Sequence, residues 1–284
     1  MHELNQKYMY TTAAEKVEAD RLIGLNKLHN THTLGYIKKY LPKGKILELG
    51  CGSGLLAADM LTISPESYYV GIDRDLGQIE WSKMNLKKFP NTKIIQMDIL
   101  DNLLALKKEG PFDLIYCRWV LVHLSKDRLV GILEDIFSML SPNGIFLCDE
   151  CDNRQVAFRP IEGRPSASHY EKATQDWLAL SKNLMQLFGN DLELSSEKIV
   201  DILSKASHGI GRIRVEGHYQ VIFHGYEQKR FITDGYRSAA TPIYKASGTN
   251  VEQDIIPASE QCAKDENIEV AFLQQSVVSY SRIW

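Results

Sequence analysis

The sequence predicts a doubly wound α/β fold: a mostly parallel, seven-stranded sheet with N-terminal helices and a helical insertion after the fifth strand. Three observations carry this. Five short apolar runs recur between residues 45 and 149, helical patterns lie between most of them, and the first run opens into three alternating glycines. Short β-rich runs of nearly continuous hydrophobicity suit parallel strands covered by helices on both faces.

Residues 13–40 read as helix. Leu22, Ile23, Leu25, Leu28, Leu34, Ile37 and Leu41 follow roughly helical spacing, and Pro42-Lys43-Gly44 stops the segment. The five strands are Lys45–Leu49, Tyr68–Ile72, Lys93–Met97, Phe112–Cys117 and Gly144–Asp149. Gly77–Phe89 and Lys126–Leu140 are helical patterns, the latter ending in the proline turn Ser141-Pro142-Asn143-Gly144. Further on, residues 166–188 and 195–207 read as helices, the second with a capped start at Ser195. Ile210–Phe223 reads as a strand with Ile213, Val215, Tyr219, Val221 and Phe223 on one side. Residues 226–245 read as helix, 248–267 as polar and unassigned, and Val277–Trp284 as the last strand. The expected organisation is an N-terminal lid segment over 1–44 and one domain over 45–284, with 153–208 as a helical cap.

A chain of 284 residues is long enough for a substantial core, and 44% apolar with 24% charged residues is the balance of a folded soluble protein. The net charge of −3 gives no general attraction to phosphate backbones or anionic lipid, and the lysine pairs are scattered. Nucleic acid and membrane are therefore not expected partners. No stretch reaches the roughly 20 apolar residues of a bilayer span, and the polar, acid-bearing start is not a leader. Five cysteines without a leader fit free thiols in the cytoplasm. The expected assembly is a monomer or a homodimer.

The chemistry concentrates in Ile46-Leu47-Glu48-Leu49-Gly50-Cys51-Gly52-Ser53-Gly54. Glycines serve where backbone turns tightly and a ligand must come close. A loop that opens a helix also offers N–H groups suited to a carboxylate or a phosphate. Asp73 ends the second strand about twenty residues on, placed to accept from both hydroxyls of a ribose. Asp98 ends the third strand, where it can accept from an exocyclic amine with Ile99 against the ring. Open α/β sheets bind ligands at these carboxyl ends.

These residues closely resemble the Rossmann-like, class I S-adenosylmethionine-dependent methyltransferases. The family's acid-x-glycine-x-glycine-x-glycine motif is matched by Glu48, Gly50, Gly52 and Gly54, its ribose acid by Asp73 and its adenine acid by Asp98. Phe112–Cys117 and Leu140–Gly144 also fit, so the resemblance covers residues 45–149 and fades beyond. It implies an enzyme that binds S-adenosylmethionine through Tyr10, Glu48, Gly50, Cys51, Gly52, Gly54, Asp73, Arg74, Asp98, Ile99, Cys117 and Arg118, without a metal. Tyr8 and Tyr10 belong to an N-terminal segment that folds over the cofactor in related enzymes. The stretch Cys117–Leu124 is similar to the branch that methylates small molecules. A dinucleotide site is the main rival, but its third glycine would fall at Leu55, and Glu48 would repel a pyrophosphate.

Arg118 suits recognition of a carboxylate, on the methionine end or on an acidic substrate. His123 and Glu150 are candidate bases, set against a packing histidine and a capping acid. Cys148-Asp149-Glu150-Cys151 lacks the second ligand pair that zinc requires, so its thiols read as structural. His169, Tyr170, Trp177, His208, His218 and Tyr219 read as pocket cover or core. No Asn-Pro-Pro-aromatic motif and no Pro-Cys pair follows the fourth strand. A small-molecule acceptor is thus expected; a protein or RNA acceptor and an NAD-dependent oxidoreductase remain the alternatives.

Overall fold

The computed structural model describes residues 16–152, 154–164, 169–188, 194–237 and 248–282. Tyr8 and Tyr10 lie outside them. The chain forms two compact units. The sheet unit comprises Asn30–Cys151, Glu193–His218 and Gln275–Trp284; the helical unit comprises Met1–His29, Asp152–Leu192 and Tyr219–Gln274. Helix α1, Lys16–Ile37, contributes to both, and its buried residues Leu25, His29, Thr33 and Ile37 recur every fourth position.

The sheet unit alternates strand and helix: β1 (Lys45–Leu49), α2 (Leu55–Ile63), β2 (Tyr68–Asp73), α3 (Leu76–Leu86), β3 (Thr92–Gln96), β4 (Phe112–Arg118), α4 (Lys126–Ser138) and β5 (Leu140–Asp152). Pairs β1–β2, β2–β3, β1–β4 and β4–β5 are all parallel. The chain therefore winds from β1 outward to β3, then returns to lay β4 on the other side of β1. That reversal is a topological switch point, the place where such sheets open a crevice. β1, β2 and β4 are buried almost throughout, as their apolar runs require. β3 departs from the expectation of burial on both faces. It is an edge strand paired only with β2, and its residues are half-buried or exposed.

Ser141-Pro142-Asn143-Gly144 does not separate α4 from a strand that starts at residue 144. The strand begins at Leu140, and the four residues form an irregularity in its pairing, where Phe112↔Leu140 is followed by Leu114↔Ile145. Gly144 is needed there, because a Cβ would lie 2.6 Å from the Phe112 carbonyl oxygen.

The expected cap over 153–208 is divided differently. Helix Ser196–Ala206 lies in the sheet unit against α4, burying Ile199, Leu203 and Ala206. The strand Arg212–Phe223 and the last strand, Ile268–Ser281, pair with each other and run through both units. That last strand begins nine positions before the expected Val277. The sheet has eight strands rather than seven, because Ala157–Pro160 pairs antiparallel with Ile268–Ala271. Tyr219, Val221 and Phe223 are buried as expected, whereas Val215 is 45% exposed.

In the helical unit, helices His169–Phe188, Gly225–Gly235 and Ile256–Lys264 pack together. The third falls in the unassigned polar stretch. Its buried side includes small residues, Ala258, Ser259, Cys262 and Ala263, which give little apolar periodicity. Phe223 stacks on Phe272 at 4.7 Å between ring centroids, and Trp177 meets Phe272 and Tyr236 edge-on at 5.9 Å. Trp177 thus belongs to an aromatic core, which Tyr219 joins through His29, whose ring centroid lies 5.9 Å from that of Tyr219 and 6.1 Å from that of Phe272. His208 and His218 lie in the sheet unit, His208 exposed beside Glu134 at 3.2 Å and His218 against the Ser276 hydroxyl at 3.2 Å.

Candidate active site

Parallel register brings the carboxyl ends of β1 to β5 to one edge: Leu49 pairs with Ile72 and Cys117, Asp73 with Gln96, and Arg118 with Asp149. The loop leaving β1 has left-handed backbone at Gly50, Gly52 and Gly54, with φ of 67°, 52° and 73°. Non-glycine residues adopt this conformation only at a cost. At Gly54 a Cβ would also lie 2.7 Å from the Ser82 hydroxyl. At Gly52 the nearest atom would be the Gln78 side-chain oxygen at 3.6 Å, so the middle of the loop presents bare backbone with room before it.

Asp73 braces this loop. One carboxylate oxygen accepts from Gly52 N–H and the other from Asp75 N–H, each at 2.9 Å. A carboxylate has about four acceptor positions, so both oxygens retain capacity toward a diol. Burial pushes the Asp73 carboxyl above its ordinary range, against the two N–H bonds that lower it. Asp98 accepts from Leu100 N–H at 2.9 Å and faces Arg74 across 3.8 Å. Arg74 follows Asp73 in the chain and turns its guanidinium to Asp98, next to which Ile99 is half-buried.

Glu48 is buried and accepts the Tyr69 hydroxyl at 2.6 Å. Burial raises its pKa to about 7, although the hydroxyl and Arg118 both pull downward. Cys51 is buried and bonds Ile72 carbonyl through its N–H at 2.9 Å. Cys117 is fully buried, its thiol 3.8 Å from Glu150. All five cysteines are buried free thiols. Burial drives Cys51, Cys117 and Cys148 well up and Cys262 to about 12.

Arg118 is engaged by α1. Its guanidinium donates to the Thr33 hydroxyl and to the Asn30 side-chain oxygen Oδ1, both at 3.0 Å. Thr33 in turn donates to Asp149 at 2.8 Å, and Asn30 to Asp59 at 3.0 Å. Partners 85 and 88 positions away leave no local signal in the sequence. Glu150 does not project from the edge as a base would. It is fully buried, and its carboxylate accepts Val120 and Leu121 N–H at 2.9 Å and Val122 N–H at 3.4 Å. His123 follows in the same turn, half-buried, with its pKa lowered to about 4 by burial and then by Arg74.

Sequence reasoning missed a face of α3. Gln78, Ser82 and Asn85 recur at helical spacing and turn toward the glycine loop; Asn85 donates to Ser53 carbonyl at 2.9 Å. Polar residues at buried positions, Gln78 and Ser82, were the available signal.

Residues 41–205, more than half of the chain, match the family described as Methyltransferase domain. The chain belongs to that family. The methyltransferase domain has the mixed α/β fold of class I S-adenosylmethionine-dependent methyltransferases. Over 169 residues the chain is 30% identical to uncharacterized protein RP028 of Rickettsia prowazekii, covering 57% of this chain and 66% of that one. It is 26% identical over 213 residues to methyltransferase str2 of Strobilurus tenacellus, covering 65% and 70%. Human N-acetylserotonin methyltransferase, solved in complex with S-adenosylmethionine, shares the fold at a TM-score of 0.52 and 12% identity. That alignment covers 97% of this chain and 58% of the human one. Thus the matches span between 58% and 70% of these relatives' lengths.

Proposed function

We propose that the protein methylates a small-molecule acceptor at the carboxyl edge of the sheet unit. The observation that carries this reading is Asp73: one half-buried carboxylate fixes the glycine loop and retains acceptor positions beside it. The donor set fits an adenosyl amino acid. Bare backbone at Gly52 leaves room, Asp73 takes the ribose hydroxyls, Asp98 and Ile99 take the adenine, and Arg74 and Arg118 offer positive charge. Glu48 and the buried thiols of Cys51 and Cys117 shape the strand ends from below. The bound cofactor supplies a methyl group already activated on a sulfonium, so the chain has to orient the acceptor and exclude water.

His123 is the candidate proton acceptor. Burial lowers its pKa to about 4, so its imidazole is neutral at physiological pH and able to take a proton, though as a weak base. The scattered lysines and the missing motif for exocyclic amines favour a small acceptor over RNA.

Calorimetric titration with S-adenosylhomocysteine should show binding in the micromolar range. Asp73→Ala should weaken it about tenfold or more, roughly one charge-assisted hydrogen bond. Equal affinity in the variant removes Asp73 from the site, and absent heat from folded wild-type protein removes the cofactor. Release of S-adenosylhomocysteine across a metabolite panel then identifies the acceptor.

A further inference from the structure

The loop after β4 turns on a non-glycine residue in left-handed backbone, Trp119 at φ 56°. The next residue, Val120, is right-handed at φ −107° and ψ −47°. Alternation of this kind points successive N–H groups into one concavity, a nest for an anion. Here the anion is internal. The Glu150 carboxylate receives the N–H groups of Val120, Leu121 and Val122, while Trp119 N–H donates to Asp149 carbonyl at 3.1 Å. The turn so held lies against the glycine loop: a Cβ on Gly50 would come 2.6 Å from the Val120 side chain.

We propose that Glu150 is a positioning residue for the cofactor: by filling the nest at Val120–Val122 it sets Val120 against Gly50 and fixes the glycine loop from a buried site that touches no ligand. This rests on the glycine loop holding S-adenosylmethionine. The charge of Glu150 is what organises the three donors, since a neutral amide in its place turns its own N–H groups toward at least one of them. Among the described residues, the titratable groups that face Glu150 include the Cys117 thiol from β4, and Cys148 and Asp149 on its own strand; Val120–Val122 carry no titratable side chain. Burial raises the pKa of Glu150 to about 7 against the pull of the three N–H bonds.

The test compares wild type with Glu150→Gln by calorimetry with S-adenosylhomocysteine at pH 8.5 and pH 6, with amide hydrogen exchange on both. At pH 8.5 the variant should bind about tenfold more weakly, and Val120–Val122 amides should exchange faster. At pH 6, where wild-type Glu150 is itself mostly protonated, the gap should narrow to about twofold. A purely structural role would leave that gap constant, and a constant gap overturns the proposal, as does equal affinity at pH 8.5. Should Glu150→Gln fail to fold, Val120→Ala decides, because it leaves the carboxylate in place and removes the contact with Gly50. It should weaken binding about threefold, and unchanged affinity overturns the proposal. Wild-type protein that binds no S-adenosylhomocysteine instead overturns the cofactor assignment. The nest is then judged by exchange alone, and unchanged protection of Val120–Val122 in Glu150→Gln counts against it.

Discussion

Two loops leave adjacent strands at the same edge and turn equally sharply, yet they are built from different materials. The loop after β1 uses glycine at each left-handed position, and its acid, Asp73, is only half-buried. The loop after β4 turns on Trp119, and its acid, Glu150, is sealed inside. Asp73 ends β2 and Glu150 lies two residues short of the end of β5, and both receive backbone N–H groups. What separates them is access to solvent: one can still receive a ligand's hydroxyls, the other can only shape its surroundings. A strand-end carboxylate is thus ligand-binding or architectural according to burial, which depends on residues far along the chain.

That contrast is most sharply broken at Gly54. Gly54→Ala combines left-handed backbone with a Cβ 2.7 Å from the Ser82 hydroxyl and 3.2 Å from its Cα. The expected loss is about 3 kcal/mol, read as a fall of roughly 6–10 °C in Tm by circular dichroism. Gly52→Ala meets only the backbone cost, on the order of 1 kcal/mol. Comparable losses at both positions would show that the packing against α3 is not what constrains the loop.

The next effect is in pH. Glu48 titrates near 7 in the folded chain against 4.5 as its ordinary value, so folding favours its protonated form. That contribution is complete below pH 4.5 and is lost as pH rises to 7. Glu150 adds a shift of the same sign and window. Glu48→Gln, which can still accept the Tyr69 hydroxyl, should therefore flatten the fall in Tm between pH 5 and 8 by about half. An unchanged slope would place the charge elsewhere. The smallest effect is expected at Asn85. Asn85→Ala removes one hydrogen bond to Ser53 carbonyl, about 1 kcal/mol, and should weaken S-adenosylhomocysteine binding two- to fivefold by calorimetry.

Legibility followed range. Glu48, Asp73 and Asp98 fall at strand ends fixed by short apolar runs and turn residues, and β1, β2 and β4 lie where those runs place them. The thiols of the CxxC pair are buried and form no disulfide. What escaped the sequence depends on partners far away: Tyr69 on Glu48, Thr33 and Asn30 on Arg118, and the loop that takes up Glu150. The helix Ile256–Lys264 escaped for a different reason, since small residues on its buried side mute the helical period. Division into units was also hidden, because Arg212–Phe223 and Ile268–Ser281 each pass through both without any break in composition.

The burial of all five cysteines gives the protein a built-in reporter. Alkylating and oxidising reagents attack thiolates; burial holds Cys51, Cys117, Cys148 and Cys262 high in pKa, and all five thiols are shielded from reagent inside the fold. A thiol reagent added to native protein consequently reacts at the pace at which the chain opens, and its five equivalents count opened molecules rather than surface sites.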